Sequence, residues 1–255
     1  MKYALIWPAI GLLSLASLPA QAIINIEEMR MDETKPGWAS SSTLTFSGKR
    51  GNIREDKLAL NGGVQWNRDD LQVRNLLLFT LNRSSAEGTT FSRDSFVHVR
   101  HTRQLDETIA WELFAQHQDE PLNDDYRRQL AGTNARFRVD QRFIHGYFGA
   151  GVMYEERRVV PVANVEVSRE DWRFNFYLNS RYQLSDNAEL AASFYVQPKA
   201  SDVSDIRSIV NVGITSRVTR LFSLTLDMSY SNESEPLFGQ SHDEWTYSMG
   251  VNLRF

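Results

Sequence analysis

Five histidines are spread along the chain: His98, His101, His117, His145 and His242. A nucleophile beside one of them would begin a hydrolytic centre, and Ser241-His242-Asp243 sets three suitable residue types in a row. Three consecutive residues do not converge on one another as a triad does, because a triad is defined by geometry rather than adjacency. His98 is expected to share a face with Arg100, with no acid or nucleophile assigned beside it. Asp119, Glu120, Asp124 and Asp125 crowd one stretch together with Asn123. Hard cations take such oxygens, but the spacing matches no calcium loop, and the stretch reads as a solvated acidic loop. No catalytic residue, metal site or cofactor is expected.

The electrostatic material is richer. Within apolar stretches, charged residues recur at alternate positions. One face collects Lys49, Lys57, Arg74, Arg100, Arg136, Arg138, Arg173, Arg181, Arg207, Arg217 and Arg254. Its acids are fewer: Glu112, Glu155, Asp171, Glu189 and Asp227. The chain as a whole carries a formal net charge of −4. A basic face on an acidic protein implies that the negative charge sits in loops and turns. If water fills the space this face encloses, the excess favours anions, as rings of Arg and Lys do in anion pores. If the arginines instead pair with those acids and with Tyr177 and Tyr195, the same residues close the space as a polar plug. Both readings stand on the sequence. Nucleic acid is not indicated as a partner, since no basic patch lies outside this face.

An alternating face needs strands to hold it. The last thirteen residues, Asp243 to Phe255, show the period most plainly: Trp245, Tyr247, Met249, Val251, Leu253 and Phe255 alternate with polar residues and glycine. A period of two is that of a strand whose faces meet different surroundings. An apolar strand ending on the chain's last phenylalanine suits the closing strand of a transmembrane barrel, where an unpaired edge would leave backbone groups without partners. Trp172, Phe174, Phe176, Leu178, Ser180 and Tyr182 form the clearest internal strand. Twelve such strands are expected between Trp38 and Phe255, an even number, as in single-chain bacterial barrels. Leu76-Leu77-Leu78-Phe79 blurs the alternation, which calls for either a bulge or a lumen-facing leucine pair. Short turns are expected after the even strands. Long outer loops are expected at Arg83–Asp94, Asp119–Asp125, Glu156–Glu170, Pro198–Asp205 and Asn232–Asp243, which puts both termini in the periplasm. Trp38, Trp66 and Trp111 then fall near the periplasmic rim and Trp172 and Trp245 near the outer rim, as two aromatic girdles.

Lys2, an apolar run from Ala4 to Leu18 and the Ala20-Gln21-Ala22 site read as a secretory signal peptide over residues 1–22. Residues 23–37 are mixed and charged. They form a periplasmic extension or a small plug in the barrel mouth. The chain has no cysteine, so no disulfide or thiolate site is available. A water-soluble sandwich would alternate in the same way, with the apolar face inward. The export signal, the terminal strand and the rim tryptophans favour the membrane barrel, with lipids and lipopolysaccharide as surroundings. The acidic stretch could bridge to lipopolysaccharide loosely through divalent ions.

Leu44 to Val64, and Ser47-Gly48-Lys49-Arg50-Gly51-Asn52 above all, resemble a family of bacterial outer-membrane barrels labelled salt-induced outer-membrane proteins. Ile24 to Arg30 is similar to the opening of that family. The resemblance implies an outer-membrane barrel and a link to salt or osmotic response, and it brings no reaction. Tyr247, Leu253 and Phe255 look like the C-terminal signal that the outer-membrane assembly machinery reads. The expected activity is a small passive pore with a basic lumen. The alternative is a closed structural barrel, and less expected is a lipid- or peptide-hydrolysing enzyme. The number of copies is left open.

Overall fold

The computed structural model describes residues 35–255 apart from 52–53, 123, 125, 142–143, 163–164, 220–221, 238–240 and 254–255. The expected signal peptide, most of the extension, Arg254 and Phe255 lie outside the described residues. The strands are β1 (Gly37–Lys49), β2 (Glu55–Asn67), β3 (Val73–Ala86), β4 (Thr89–Gln104), β5 (Ile109–Glu120) and β6 (Tyr126–Gln141), then β7 (Ile144–Val162), β8 (Val165–Ser185), β9 (Ala188–Lys199), β10 (Asp202–Arg217), β11 (Phe222–Glu233) and β12 (Asp243–Leu253). They form a single antiparallel sheet of twelve strands in sequence order. Each residue's side chain leaves the sheet opposite to that of its neighbour, so the alternation of the sequence becomes a difference between two faces.

The two faces are inverted relative to a water-soluble protein. Along β8, Asp171, Arg173, Asn175, Tyr177 and Asn179 are buried, while Trp172, Phe174, Phe176 and Leu178 are exposed. The same holds on β4, where His98, Arg100 and Thr102 are buried and Val97 and Val99 are exposed. The sheet curls around its polar face. The doubtful leucines obey the pattern: β3 stays in unbroken register with both neighbours from Leu76 to Phe79. Leu76 and Leu78 are buried on the inner face and Leu77 points out. The lumen-facing leucine pair is what occurs, and there is no bulge.

The expected long loops are corrected. Strands run on through most of them. β3 and β4 extend to a two-residue turn at Glu87-Gly88, where φ is 51° and 82°. Positive φ at both central residues matches the twist of a tight hairpin, and glycine accepts it without strain. β7 and β8 are 19 and 21 residues long and consume nearly all of Glu156–Glu170. β9 and β10 leave only Ala200-Ser201 between them. The difference between the two ends is therefore one of overhang. At the short-turn end the strands stop near the apolar belt, and at the other end they continue well past it.

The expected closing seam is also corrected. No pairing of β12 with β1 occurs among the described residues. The side chains on these two edges show it directly: Trp38 on β1 is 77% exposed and Met249 on β12 79%, against 37–40% for Phe174, Phe176 and Leu178 in the middle of the sheet. The excess is the area a neighbouring strand would cover.

Candidate functional site

The buried face carries two groups of charges. The larger group is centred on Glu155 of β7, which is 1% exposed. Arg128 of β6 donates through Nε and Arg207 of β10 through Nη1 to the same Glu155 oxygen. Arg173 Nε lies 3.2 Å and Arg157 Nε 3.5 Å from its other oxygen. Glu233 of β11 accepts from Arg157 and Arg207. Arg173 also reaches Asp205 at 2.9 Å, and Lys199 holds Asp171 at 2.6 Å. In register, like charges stand directly opposite: Glu155 faces Asp171, and Arg128 faces Arg157. Opposite charges meet on the diagonals instead, which long side chains span.

The second group lies toward the short-turn end. Glu112 of β5 is fully buried. Arg136 lies 3.2 Å and Arg100 3.8 Å from its Oε1. The Tyr177 hydroxyl donates to its Oε2 at 2.6 Å. The Arg136 guanidinium also stacks 3.9 Å over the Tyr147 ring. The Tyr177 ring lies directly on the Cα of Gly149, a position where any Cβ would collide with it. Between the two groups is a cavity of about 70 Å³ lined by His98, Phe114, Tyr195 and amides. Asn175 donates to Asn134 at 3.0 Å and Gln197 to Asn175 at 2.9 Å. The space is polar and large enough to hold water.

Of the arginines expected inside, Arg100, Arg136, Arg173 and Arg207 are buried. Arg74 is half-buried and Arg138, Arg181 and Arg217 are exposed at the short-turn rim, all on the inward alternation. Arg74 donates to Asn67 at 3.3 Å and Arg217 to the Asp186 carbonyl at 2.9 Å, and Arg181 sits 3.8 Å from Glu189. Sequence reasoning missed Arg128, Arg157, Glu120, Asp205 and Glu233, all of which it had placed in loops or left unassigned. The signal was present: Tyr126-Arg128-Leu130 and Glu155-Arg157-Val159 continue the inward alternation. The buried charges are nearly balanced, because the surplus arginines Arg138, Arg181 and Arg217 stand exposed at the short-turn rim. Six arginines and five carboxylates are buried among the described residues, and Lys199 and Glu233 add one of each at the margin.

The tryptophans face outward in two sets. Trp38 and Trp66 pair at 6.4 Å, and Trp111 donates to Thr133 at 2.7 Å, all at the short-turn end. Trp172 lies 5.5 Å from Tyr154 and Trp245 4.3 Å from Tyr230 at the other end. Tyr247 is outward and exposed on β12, and the Leu253 backbone pairs with Phe222. The other candidate chemistries disperse. His98 is stacked between Phe96 and Phe114. His242 turns its ring to the Glu233 carbonyl at 2.9 Å rather than to Ser241 or Asp243. Asp119 points outward to Arg127 at 3.2 Å while Glu120 points inward. Among the described residues, no three His, Asp or Glu side chains converge as metal ligands.

A curled antiparallel sheet with buried ion pairs and an apolar outer belt defines an all-β, barrel-type protein with an inside-out arrangement of polarity. Residues 42–255 match the family described as "Protein of unknown function, DUF481", and the chain belongs to it. Among solved structures it is similar to the NanC porin, at 12% identity over 85% of this chain and 99% of that one, with a TM-score of 0.42. The translocator domain of the autotransporter NalP from Neisseria meningitidis is similar at 12% identity, over 90% and 91%, with a TM-score of 0.46. The KdgM porin in complex with disordered oligogalacturonate is similar at 10% identity, over 86% and 99%, with a TM-score of 0.39. No curated protein matches the chain.

Proposed function

We propose that this protein is an outer-membrane β-barrel whose own charged side chains hold its lumen shut at rest, that it serves the envelope structurally, and that it performs no covalent chemistry. The observation that carries this is the balance inside: six buried arginines and five buried carboxylates bridging β5 to β11. Charges so paired fill the space and leave little excess to attract a passing ion. The membrane location is supported by the exposed apolar belt, which hydrocarbon accommodates and water does not, and by the sequence's export signal. In hydrocarbon a free strand edge is costly, so closure of β1 onto β12 belongs to this reading.

The second reading, a small anion-favouring pore, has one observation in its favour. Arg138 and Arg217 are exposed and face inward at the short-turn mouth, where they would draw anions toward the lumen. Planar-bilayer recording on the purified protein separates the two. A silent bilayer at moderate voltage fits the closed barrel. Stable conductance steps with anion-selective reversal potentials would replace it with the pore. The salt response implied by the resemblance is part of the proposal, and transcript and protein levels in high- and low-salt cultures test it.

A further inference from the structure

On the outward face, β3 and β4 set two arginines against each other. Arg83 and Arg93 are direct partners in register, and both are exposed. Like charges directly opposite one another on a sheet destabilise the pair. Elsewhere on this face such a pair is relieved: Arg127 faces Arg158, but the first is held by Asp119 at 3.2 Å and the second by Glu166 at 3.3 Å. Arg83 donates only to the Thr90 hydroxyl, at 3.2 Å, and Arg93 has no partner among the described residues. Arg50 and Arg54 lie further out, at the tip of the β1–β2 hairpin, where they share one carboxylate, Asp56, at 2.6 and 3.9 Å. The other nearby acids are engaged: Glu87 accepts from the Arg54 backbone, and Asp94, which faces inward, accepts from Ser92.

The patch is basic on a chain of net charge −4, and its position is specific. One outward step below Arg83 and Arg93 are Leu81 and Ser95, and one further step down β4 is Val97. Leu81 is 48% and Val97 39% exposed, and they belong to the apolar belt. From Trp38 to Phe46 the outward alternation spans eight residues of β1, about 26 Å along the strand at ~3.3 Å per residue, or about 20 Å of height at the ~35–45° tilt of membrane-barrel strands, within the ~25 Å of such a barrel's apolar band. The arginines therefore sit where lipid headgroups begin, at the overhang end. Guanidinium forks match phosphate oxygens two at a time.

We propose that Arg83 and Arg93 bind the phosphate groups of the phosphorylated glycolipid of the outer leaflet, whose acyl chains lie on the belt below. This rests on the membrane reading above, and it adds a site and a partner to it. The phosphate dianion neutralises the opposed arginines, which is why this pair lacks the carboxylates that its counterpart on β6 and β7 possesses.

The test is native mass spectrometry of the full chain in detergent, titrated with lipid A, with dephosphorylated lipid A and with phosphatidylglycerol. The wild type is expected to retain lipid A and to lose about tenfold in affinity when the phosphates are removed, a comparison that needs no variant. Arg83→Gln with Arg93→Gln is expected to weaken lipid A binding by a similar factor, while Arg127→Gln with Arg158→Gln leaves it unchanged. Equal retention of dephosphorylated lipid A, equal retention of phosphatidylglycerol, or an unaffected double variant overturns the proposal. Fractionation with the outer membrane is followed in parallel. If the protein fractionates there and lipid A binding is indifferent to phosphate, this site alone fails. If it does not fractionate there, the membrane reading fails first.

Discussion

Glu155 is the single acid on which four arginines converge. Replacing one partner of a buried ion pair leaves charge uncompensated, at a cost of about 3–5 kcal/mol. Glu155→Gln keeps the shape and removes the charge, so Arg128, Arg157, Arg173 and Arg207 would be left repelling one another. Thermal unfolding in detergent should show a large loss of stability, and a melting temperature equal to wild type would mean that the arginines are satisfied by water. Gly149 is the other sensitive position. Its missing side chain is the seat of the Tyr177 ring. Gly149→Ala pushes that ring off and breaks the bond from Tyr177 to Glu112, and overpacking of this kind costs about 1–3 kcal/mol. The same unfolding assay reads it, and Tyr177→Phe separates the lost hydrogen bond from the crowding.

At the level of hairpins, the two ends of the strands are built differently. Turns at the short end are held by side chains acting on their own backbone. In the β4–β5 turn, Asp106 accepts from the Thr108 N–H at 2.7 Å, the Thr108 hydroxyl at 2.9 Å and the Ile109 N–H at 2.8 Å. These donors hold its carboxyl below the usual carboxylate range. The folded pKa is the depressed one, so the turn's stabilisation is present above the unfolded value of ~3.9 and disappears as pH falls through the folded value. Asp106→Ala should therefore be less stable than wild type at neutral pH, and the gap should close in strong acid. A gap of constant size across that range would mean the carboxylate charge does nothing for the turn. At the opposite end the hairpins run past the belt. There the face turned inward continues to carry charge, and this is where Arg157, Arg169 and Asp205 are found.

For the chain as a unit, the open edge is the feature with the clearest consequence. Both β1 and β12 have apolar outward faces and, among the described residues, no partner on one side. Lipid does not tolerate that, so the edges should meet in the membrane. The absence of native cysteine makes this simple to examine. Ser41→Cys on β1, on the inward alternation, combined in turn with Thr246→Cys and Ser248→Cys on the inward alternation of β12, should yield an intramolecular disulfide for one combination in membranes. Crosslinks found only between copies would mean that the edges join neighbouring molecules instead.

The alternation in the amino-acid sequence was enough to establish twelve strands, the outward tryptophans and the inward set of Arg74, Arg100, Arg136, Arg173 and Arg207, because a period of two assigns faces wherever one face is apolar and the other is not. It lost its force past the belt. Around Arg83-Ser84-Ser85 and Glu166-Val167-Ser168-Arg169 both faces meet water or charge, so strand looks like loop, and Arg128, Arg157 and Glu233 went unplaced. Nor does a linear pattern say which acid meets which arginine. Arg157 of β7 reaches Glu233 four strands away, across the curl of the sheet. That contact pairs charges that no linear pattern connects, and it exists only because a curled sheet brings distant strands to face one another.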